Sequence, residues 1–562
     1  MKWSSALRDR EDQIFLILTL LIGALVGLVV VAFILMTERL GARLYPVGGE
    51  RWRRVFMPVI GSLGAGYLLY KYFPNARGSG VPQTKAALYT REGHIRLRTV
   101  FGKFFCTSAT LASGIPLGRE GPSVQVGAGI SSVLGRHLGL SSEKVKALLP
   151  VGAAAAIAAA FNTPIAAVLF TLEEVIGDLH APVLGSVVLA SATSWITLRL
   201  VLGNEPLFHV PPYELVHPLE FGIYMVLGVL GGLVSVVFTK LLLGIRAWFL
   251  RMPSWTVWFQ PVAGGLTVGL TAWFVPQVLG VGYAYVGDAL NGKLGLELMV
   301  LLVILKVLSV TVSYGSGNAG GIFGPSLFIG AMLGGSVGSV AHRFLPAYTA
   351  VPGAYALVGM GALFAGIVRA PMTSVFMIFE TTRDYSIVVP LMISNLLSFY
   401  ISRKLQRHPI YEELALQDGI QLPTRLEERR VTEVMRTSVQ TLSAGLTVRE
   451  ALDQTIGSQF HSWIVVDEKG VLGIIPKSGL QQALADGAGD KTVGSLSASL
   501  NHEHVHRDQP LHLALERMGS TGLDLLAVVS RANIRTLEGI VTLADVLAAY
   551  GISGTQDREE GQ

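Results

Sequence analysis

The hydrophobic positions of this chain form apolar segments that recur from about residue 13 to residue 402 and are separated by short polar breaks. The first segment, 14–36, is long enough to cross about 30 Å of hydrocarbon at about 1.5 Å per residue. It exceeds the core of a signal peptide and lacks a small-residue cleavage site, so we expect it to be retained. Further apolar stretches are predicted near 55–70, 100–117, 123–138, 144–160, 164–176, 183–201, 219–246, 258–280, 296–313, 325–341, 353–366, 369–380 and 386–402.

Several of these stretches have fewer than about 17 residues, which is too few to cross a bilayer as a straight helix. The breaks around them are rich in glycine and proline, at 78–82 (GSGVP), 118–122 (GREGP) and 317–325 (GNAGGIFGP). Irregular backbone is tolerated at membrane depth only where it lines a cavity or is buried in protein. Interrupted helices in both halves of a chain are typical of inverted-repeat transporters with a central site. The pattern therefore predicts an all-α polytopic membrane domain built from broken helices.

The hydrophobic pattern changes after residue 402. A polar stretch, 405–430, is predicted to be a linker, and two similar α/β units follow, each with a helix and short apolar strands. The predicted domains are an N-terminal segment 1–12, a membrane domain 13–404, the linker, α/β units at 431–490 and 491–550, and a tail 551–562.

Composition narrows the class of protein. Hydrophobic residues make up 51% of the chain and charged residues 15%, against a usual charged share of about 25%. This balance excludes a disordered chain and a coiled coil. The one cysteine, Cys106, allows no internal disulfide and no cysteine-based metal site. The net charge of +5 is small for 562 residues and argues against a nucleic-acid partner. No Walker loop, nucleophile elbow or HExxH motif is present, so we do not expect an enzyme.

The glycine-rich breaks suggest anion chemistry. Glycine before a helix lets backbone N–H groups converge on a small anion, and the helix start adds partial positive charge. Ser79 would add a hydroxyl donor in the first break, and the N–H groups of Ile322 and Phe323 would donate in the third. Three such helix starts could hold an anion loosely enough for it to leave. The alternative is that these glycines only allow close helix packing.

Acidic residues lie beside the breaks. Glu120 stands at an apolar helix start, where a carboxylate costs about 3 kcal/mol. Its negative charge could occupy an anion site and move away when protonated; the alternative is a helix-capping glutamate paired with Arg119. Glu173 and Glu174 close the run PIAAVLFTLEE and face different sides of a helix, so one could be structural and the other could accept protons. The alternative for either is a helix that ends at the water interface.

Residues 13–415 resemble the CLC family of chloride channels and proton-coupled chloride transporters. GSGVP is similar to the family's GSGIP, which implies Ser79 as a chloride ligand, and GREGP implies Glu120 as the external gate. GIFGP resembles GxFxP, so Ile322 and Phe323 would give backbone donors to chloride. HPIYEELAL resembles the segment with the family's central tyrosine, which implies that the Tyr411 hydroxyl binds the same ion.

The resemblance also separates exchange from passive conduction. Glu174 follows FNTP at the position where proton-coupled members carry an internal glutamate and channels an apolar residue. We therefore expect chloride/proton antiport; a gated chloride channel is the first alternative, and a nucleotide-sensing membrane receptor the second. Ser79 favours chloride over nitrate. The family further implies tilted helices and a homodimer in a lipid bilayer, here a bacterial inner membrane with the C-terminal units in the cytosol.

The C-terminal units resemble a tandem pair of CBS motifs, so the expected fold is a CLC-type membrane domain plus an α/β CBS pair. The second unit matches the family's adenosine motif, which implies Thr542 and Asp545 as contacts for an adenine nucleotide. In the first unit Pro476 and Gly479 replace the hydroxyl residue and the acid. A purely structural dimerising module is the alternative. The alternating histidines at 502, 504 and 506 are more typical of a solvated segment than of a metal site.

Three lysines in the apolar region have no assigned role. Lys85 stands where an acidic or neutral residue would be expected. Lys103 could raise the potential near the pathway or extend its amine toward the membrane surface. Lys306 could pair with a buried acid or mark the end of a segment.

Overall fold

The chain folds into two compact units, Met1–Leu422 and Pro423–Gln562. The computed structural model describes residues 2–549 apart from 47, 180–181, 205, 209, 212, 214, 383–384, 421–428, 439, 459 and 497–499, with side chains described from residue 15. The predicted tail 551–562 and part of the predicted linker lie outside the described residues.

All the regular elements that the structure describes in the first unit are helices. Six of its helices are long and apolar enough to cross a membrane, the first of them over Phe15–Leu44. That helix begins at Lys2, so the predicted span at 14–36 is only its central part. The helices are α1 Lys2–Leu44, α2 Arg53–Lys71, α3 Val81–Thr90, α4 Leu97–Ala112, α5 Glu120–His137, α6 Ser142–Phe161, α7 Pro164–Phe170, α8 Leu184–Leu202, α9 Glu220–Leu250, α10 Pro261–Phe274, α11 Tyr283–Leu290, α12 Leu296–Gly315, α13 Phe323–Phe344, α14 Pro352–Val368, α15 Pro371–Thr382, α16 Val388–Leu405 and α17 Ile410–Gln417.

Short helices are the elements that the apolar pattern missed. α3 and α11 have ten and eight residues, and each begins after a glycine with positive φ, Gly80 at 105° and Gly282 at 86°. α17 lies inside the segment predicted as a linker and belongs to the first unit. Helices this short cannot cross a bilayer. α3 begins at the fully buried Val81 and α17 at the fully buried Ile410, as the broken-helix prediction requires.

The two halves of the first unit repeat the same local structure. α6 ends at Asn162 and α14 at Arg369, both left-handed, and a proline begins the next helix two residues later in each half. Gly118 and Gly321 form an antiparallel bridge in which each N–H donates to the other carbonyl at 2.7 Å. The predicted repeat of broken helices is therefore confirmed.

A reciprocal pair of carboxylates joins the halves. Glu380 on α15 accepts the backbone N–H groups of Ile165 and Ala166 at the start of α7, at 3.0 and 2.7 Å. Glu173, just after α7, accepts both the N–H and the hydroxyl of Thr373 at the start of α15, at 2.8 and 2.6 Å. Each acid satisfies unpaired donors and opposes the positive end of a helix dipole.

Glycines set the distance between the most closely packed pairs of helices. α5 and α6 touch through Gly127 and Gly152, where an added Cβ at either residue would overlap the backbone of the other. α13 and α14 touch in the same way through Gly330 and Gly359. These backbones are in direct contact, so the helix starts that they carry are held rigidly.

The second unit contains two copies of one α/β arrangement. In each, a three-stranded sheet has its first two strands parallel and its last two antiparallel, and the register slips once, at Val465/Val466 and at Val528/Val529. The elements are β1 Thr441–Ser443, α18 Val448–Gln454, β2 Ser462–Asp467, β3 Gly470–Pro476, α19 Lys477–Ala485, β4 His504–Val505, α20 Leu511–Thr521, β5 Leu525–Val529, β6 Leu537–Thr542 and α21 Leu543–Ala549.

Candidate functional site

The three glycine-rich breaks meet at one place inside the first unit. Gly80, before α3, lies against the carbonyl of Gly121 in α5, and a side chain there would overlap that backbone. Gly118, before α5, is bridged to Gly321, before α13. The starts of α3, α5 and α13 therefore converge, which places three sets of unpaired N–H groups around one region.

Glu120 occupies the start of α13. Its side chain is fully buried; Oε2 accepts the backbone N–H of Gly324 at 3.3 Å, and Oε1 accepts the Tyr283 hydroxyl at 2.5 Å. The described residues give Arg119 a different acidic partner, Glu38, at 3.5 Å. The carboxylate thus sits where a small anion would be stabilised by the dipole of α13.

Two buried hydroxyls lie in the same region. Ser79 and Tyr411 are completely buried, and neither Ser79 Oγ nor the Tyr411 hydroxyl forms a hydrogen bond with a described residue, although the Tyr314 phenol lies beside Ser79. Tyr411 also lies within electrostatic range of Glu120. Buried polar groups are normally hydrogen-bonded, so two such hydroxyls point to a ligand with acceptor character.

The start of α13 is closed on its apolar side. Phe323 is its first residue and Ile322 directly precedes it, and they are 1% and 0% exposed. The Phe323 ring contacts the rings of Phe161, Phe170 and Phe364, with centroids 4.7, 5.2 and 4.3 Å apart. This aromatic cluster excludes water from one side, which strengthens electrostatic interactions at the helix start.

A basic cavity of about 540 Å³ opens beside Ser79, and Gly78 and Tyr314 form part of its wall. The acid on its wall, Asp418, is paired with Arg246 at 2.5 Å. The cavity would raise the local concentration of small anions next to the hydroxyls. Its basic lining residues are Arg77, Arg91, His94, Arg96 and Arg246.

Glu174 lies on a π-helical turn, Thr171–Ile176, that continues α7. Its side chain is 3% exposed, and Oε1 accepts a hydrogen bond from Lys85 Nζ at 2.8 Å. Tyr411 is within electrostatic range of Glu174 as well as of Glu120. The adjacent acid, Glu173, caps α15, so the two neighbours have different environments.

Lys103 and Lys306 occupy equivalent places in the two halves. Lys103 is fully buried and donates to the Gly78 carbonyl at 2.7 Å, so it does not extend toward the membrane surface. Lys306 is also fully buried and donates to the carbonyls of Val278 and Gly280, at 3.1 and 2.7 Å, rather than to an acid. Each lysine fixes the glycine-rich loop before a short helix, α3 or α11.

In the second unit, Asp545 is already engaged. Its two oxygens accept from Arg436 Nε and Nη2, at 2.9 and 2.6 Å, and from the Thr542 hydroxyl at 2.7 Å. Burial alone would raise the pKa of the Asp545 carboxyl, but the hydrogen bonds from Arg436 and Thr542 outweigh it and hold the pKa below its usual value. Arg436 and Thr542 thus hold the carboxylate that the motif assigns to a ribose. The equivalent position in the first repeat is Gly479, which has no acid to offer.

Tyr283 and Gly324 are the contacts of Glu120 that the motifs did not reveal. Gly324 lies one residue beyond the expected donors. Tyr283 follows the short sequence GVG, which resembles the GSG before α3 and was the available signal of a second loop of this kind.

Comparison with known proteins agrees with this architecture. Residues 61–403 match the family described as voltage gated chloride channel, and residues 431–486 match the CBS domain. The H(+)/Cl(-) exchange transporter ClcA of Vibrio cholerae is 30% identical over 421 residues, which are 72% of this chain and 90% of that protein.

Two solved structures share the fold. A slow cyanobacterial Cl-/H+ antiporter is 25% identical, with a TM-score of 0.66 over 72% of this chain and 97% of its own. A eukaryotic CLC transporter, 21% identical with a TM-score of 0.64, covers 94% of this chain and 97% of its own, which includes the α/β region.

Proposed function

Because the chain belongs to the voltage gated chloride channel (CLC) family, we propose that it exchanges chloride for protons across a membrane. Ser79, Tyr411 and the backbone at Ile322 and Phe323 would bind chloride. Glu120 would be the external gate and a proton acceptor.

The position of Glu120 carries this proposal. An ionised carboxylate at the start of α13 excludes a chloride ion from the same donors. Protonation removes the negative charge of Glu120 and with it the attraction to the positive end of the α13 dipole. The side chain then leaves, and an anion takes its place. The same residue therefore controls chloride access and moves a proton, which couples the two ions.

Glu174 supplies the second proton acceptor. It is buried and paired with Lys85, so it can exist as a carboxylate away from water. Tyr411 lies within electrostatic range of both acids. A route for protons that ends at Glu174 would diverge from the basic cavity beside Ser79, which serves the anion.

The test is ion flux in reconstituted vesicles. The wild-type protein should move protons uphill when driven by a chloride gradient. Glu120→Ala and Glu174→Val should each keep chloride movement and abolish proton movement, whereas Glu143→Ala, an exposed acid on α6, should change neither. Chloride flux without proton movement in the wild type would favour a gated channel. Proton coupling that survives in Glu174→Val would show that Glu174 is not the second proton acceptor.

The second unit is best assigned a structural or regulatory role that does not consume nucleotide. The pairing of Asp545 with Arg436 disfavours the adenine-nucleotide site expected at Thr542 and Asp545. A nucleotide would have to displace Arg436 from Asp545. Calorimetric titration of the full-length protein with AMP tests this, because tight wild-type binding would contradict it.

We also infer a homodimer in a bacterial inner membrane, with the second unit in the cytosol. The sequence-similar transporter from Vibrio cholerae is bacterial. Arg403 and Lys404 close α16, and basic residues favour the cytosolic side. Crosslinking in membranes and protease access to the second unit from each side test these assignments.

A further inference from the structure

We propose that Tyr283 is a positioning residue that holds the Glu120 carboxylate at the start of α13 and thereby sets the pH at which anion access opens. This inference rests on the proposed role of Glu120 as the gate. It adds a residue that lies outside all three glycine-rich breaks.

The two oxygens of the Glu120 carboxylate accept hydrogen bonds from two different donors. Oε2 accepts the backbone N–H of Gly324, at 3.3 Å, and Oε1 accepts the Tyr283 hydroxyl, at 2.5 Å. The phenol contact is the shorter of the two. The backbone N–H would serve a chloride ion equally well, whereas the two oxygens of the carboxylate use both donors at once.

The Tyr283 ring is fixed from two sides. The Phe208 ring meets it edge-on, with centroids 5.7 Å apart, and the Arg119 guanidinium lies over it at 5.9 Å. Tyr283 is also the first residue of α11, after Gly282 in a left-handed conformation. The hydroxyl is therefore presented from a defined place rather than from a mobile loop.

Lys306 holds the loop that carries Tyr283. Its amine donates to the carbonyls of Val278 and Gly280 and lies 4.2 Å from the centroid of the Phe328 ring. Lys103 holds the loop with Ser79 in the same way, through Gly78. In each half, therefore, a buried lysine holds a glycine-rich loop that carries a hydroxyl group. In the first half this is Ser79, which is proposed to bind the anion, and in the second half it is Tyr283, which binds Glu120.

The Tyr283 hydroxyl donates more strongly to a carboxylate than to a neutral carboxylic acid. The other ionisable groups around Glu120 are its neighbour Arg119, itself paired with Glu38, and the phenol of Tyr411. None of them donates to the Glu120 carboxylate within the described residues. Loss of the Tyr283 hydroxyl should therefore let Glu120 take up a proton and leave at a higher pH.

The experiment compares the pH dependence of chloride efflux from vesicles at equal pH on both sides. In Tyr283→Phe, which keeps the ring, the pH of half-maximal efflux should rise by about one unit, since a hydrogen bond to a charged group changes an equilibrium by roughly tenfold. Tyr285→Phe, two residues along α11, is the matched control and should leave the profile unchanged. A wild-type profile in Tyr283→Phe would overturn the proposal.

A Glu120→Ala control separates this proposal from the one on which it rests. If Glu120→Ala gives pH-independent efflux but Tyr283→Phe behaves as wild type, only the role of Tyr283 fails. If Glu120→Ala keeps the wild-type pH dependence, the gate assignment itself fails.

Substitutions of Lys306 test the proposal in a second, independent way. Lys306→Met should shift the pH profile in the same direction as Tyr283→Phe, and Lys306→Arg should restore it. In the double variant the shift should not exceed that of Tyr283→Phe alone, because both changes remove the same contact. Additive shifts would contradict the proposal that Lys306 acts through Tyr283.

Discussion

Lys85 provides the sharpest test of the proton route, because its amine is hydrogen-bonded to the buried Glu174. The change Lys85→Met keeps an unbranched side chain, one atom shorter, and removes its charge. The two groups are 2.8 Å apart and are 16% and 3% exposed, so water screens them little. A hydrogen bond between charged groups contributes about 1.5–3 kcal/mol. Since every 1.4 kcal/mol is about tenfold, proton release from Glu174 should become about 10- to 100-fold less favourable.

The assay measures chloride efflux and proton uptake together in vesicles at neutral pH. Proton-coupled exchange should slow by at least about tenfold in Lys85→Met. In the Glu120→Ala background, where chloride should move without protons, the same substitution should have no effect. Lys85→Arg should restore exchange, and Lys240→Met, which alters an exposed lysine on α9, should leave it unchanged.

Two results would refute the reasoning. An unchanged exchange rate in Lys85→Met would mean that the Lys85–Glu174 pair takes no part in the proton step. Equal slowing of chloride efflux in both backgrounds would mean that Lys85 acts on the anion pathway or on folding instead.

Four further predictions concern the anion site, the repeat and, in two cases, the second unit. Ser79→Ala should weaken chloride binding by about tenfold in calorimetric titration, through the loss of one hydroxyl donor; unchanged affinity would remove Ser79 from the site. Glu380→Gln should lower the free energy of unfolding by about 1 kcal/mol, measured as a lower thermal unfolding midpoint. The control is Glu297→Gln, which changes an exposed acid in the first turn of α12 and should have little effect. Arg436→Ala should tighten AMP binding by freeing Asp545, and no change would show that their pairing does not block the site. Because the pKa of Asp545 is lowered, the pairing should stabilise the second unit above about pH 4 and lose that effect as the pH falls.

Hydropathy and glycine placement predicted most of the architecture. The apolar segments, the three breaks and the doubled α/β unit all follow from local sequence, and the structure contains them. The apolar pattern missed α3 and α11 because they are too short for a hydrophobic period to stand out; the start of α3 was expected only from the glycine-rich break before it. α17 was missed because its polar residues resemble those of a linker.

The site was only partly predictable. Glu120 is identifiable because a carboxylate is costly at an apolar helix start. Its partner Tyr283 is not, because the two residues are brought together by packing between the halves, and the GVG before Tyr283 indicates a loop but not what the tyrosine contacts. The pairing of Lys85 with Glu174 likewise joins two distant segments, so the sequence did not indicate the role of this lysine and only the structure showed its partner.

The glycine contacts between α5 and α6, and between α13 and α14, limit how this protein can work. Helices that meet backbone to backbone have no compressible side chains between them and cannot slide without collision. Each pair lies within one half of the repeat, so the proposed exchange cycle would leave both pairs intact and would leave movement to side chains such as Glu120 or to one half against the other.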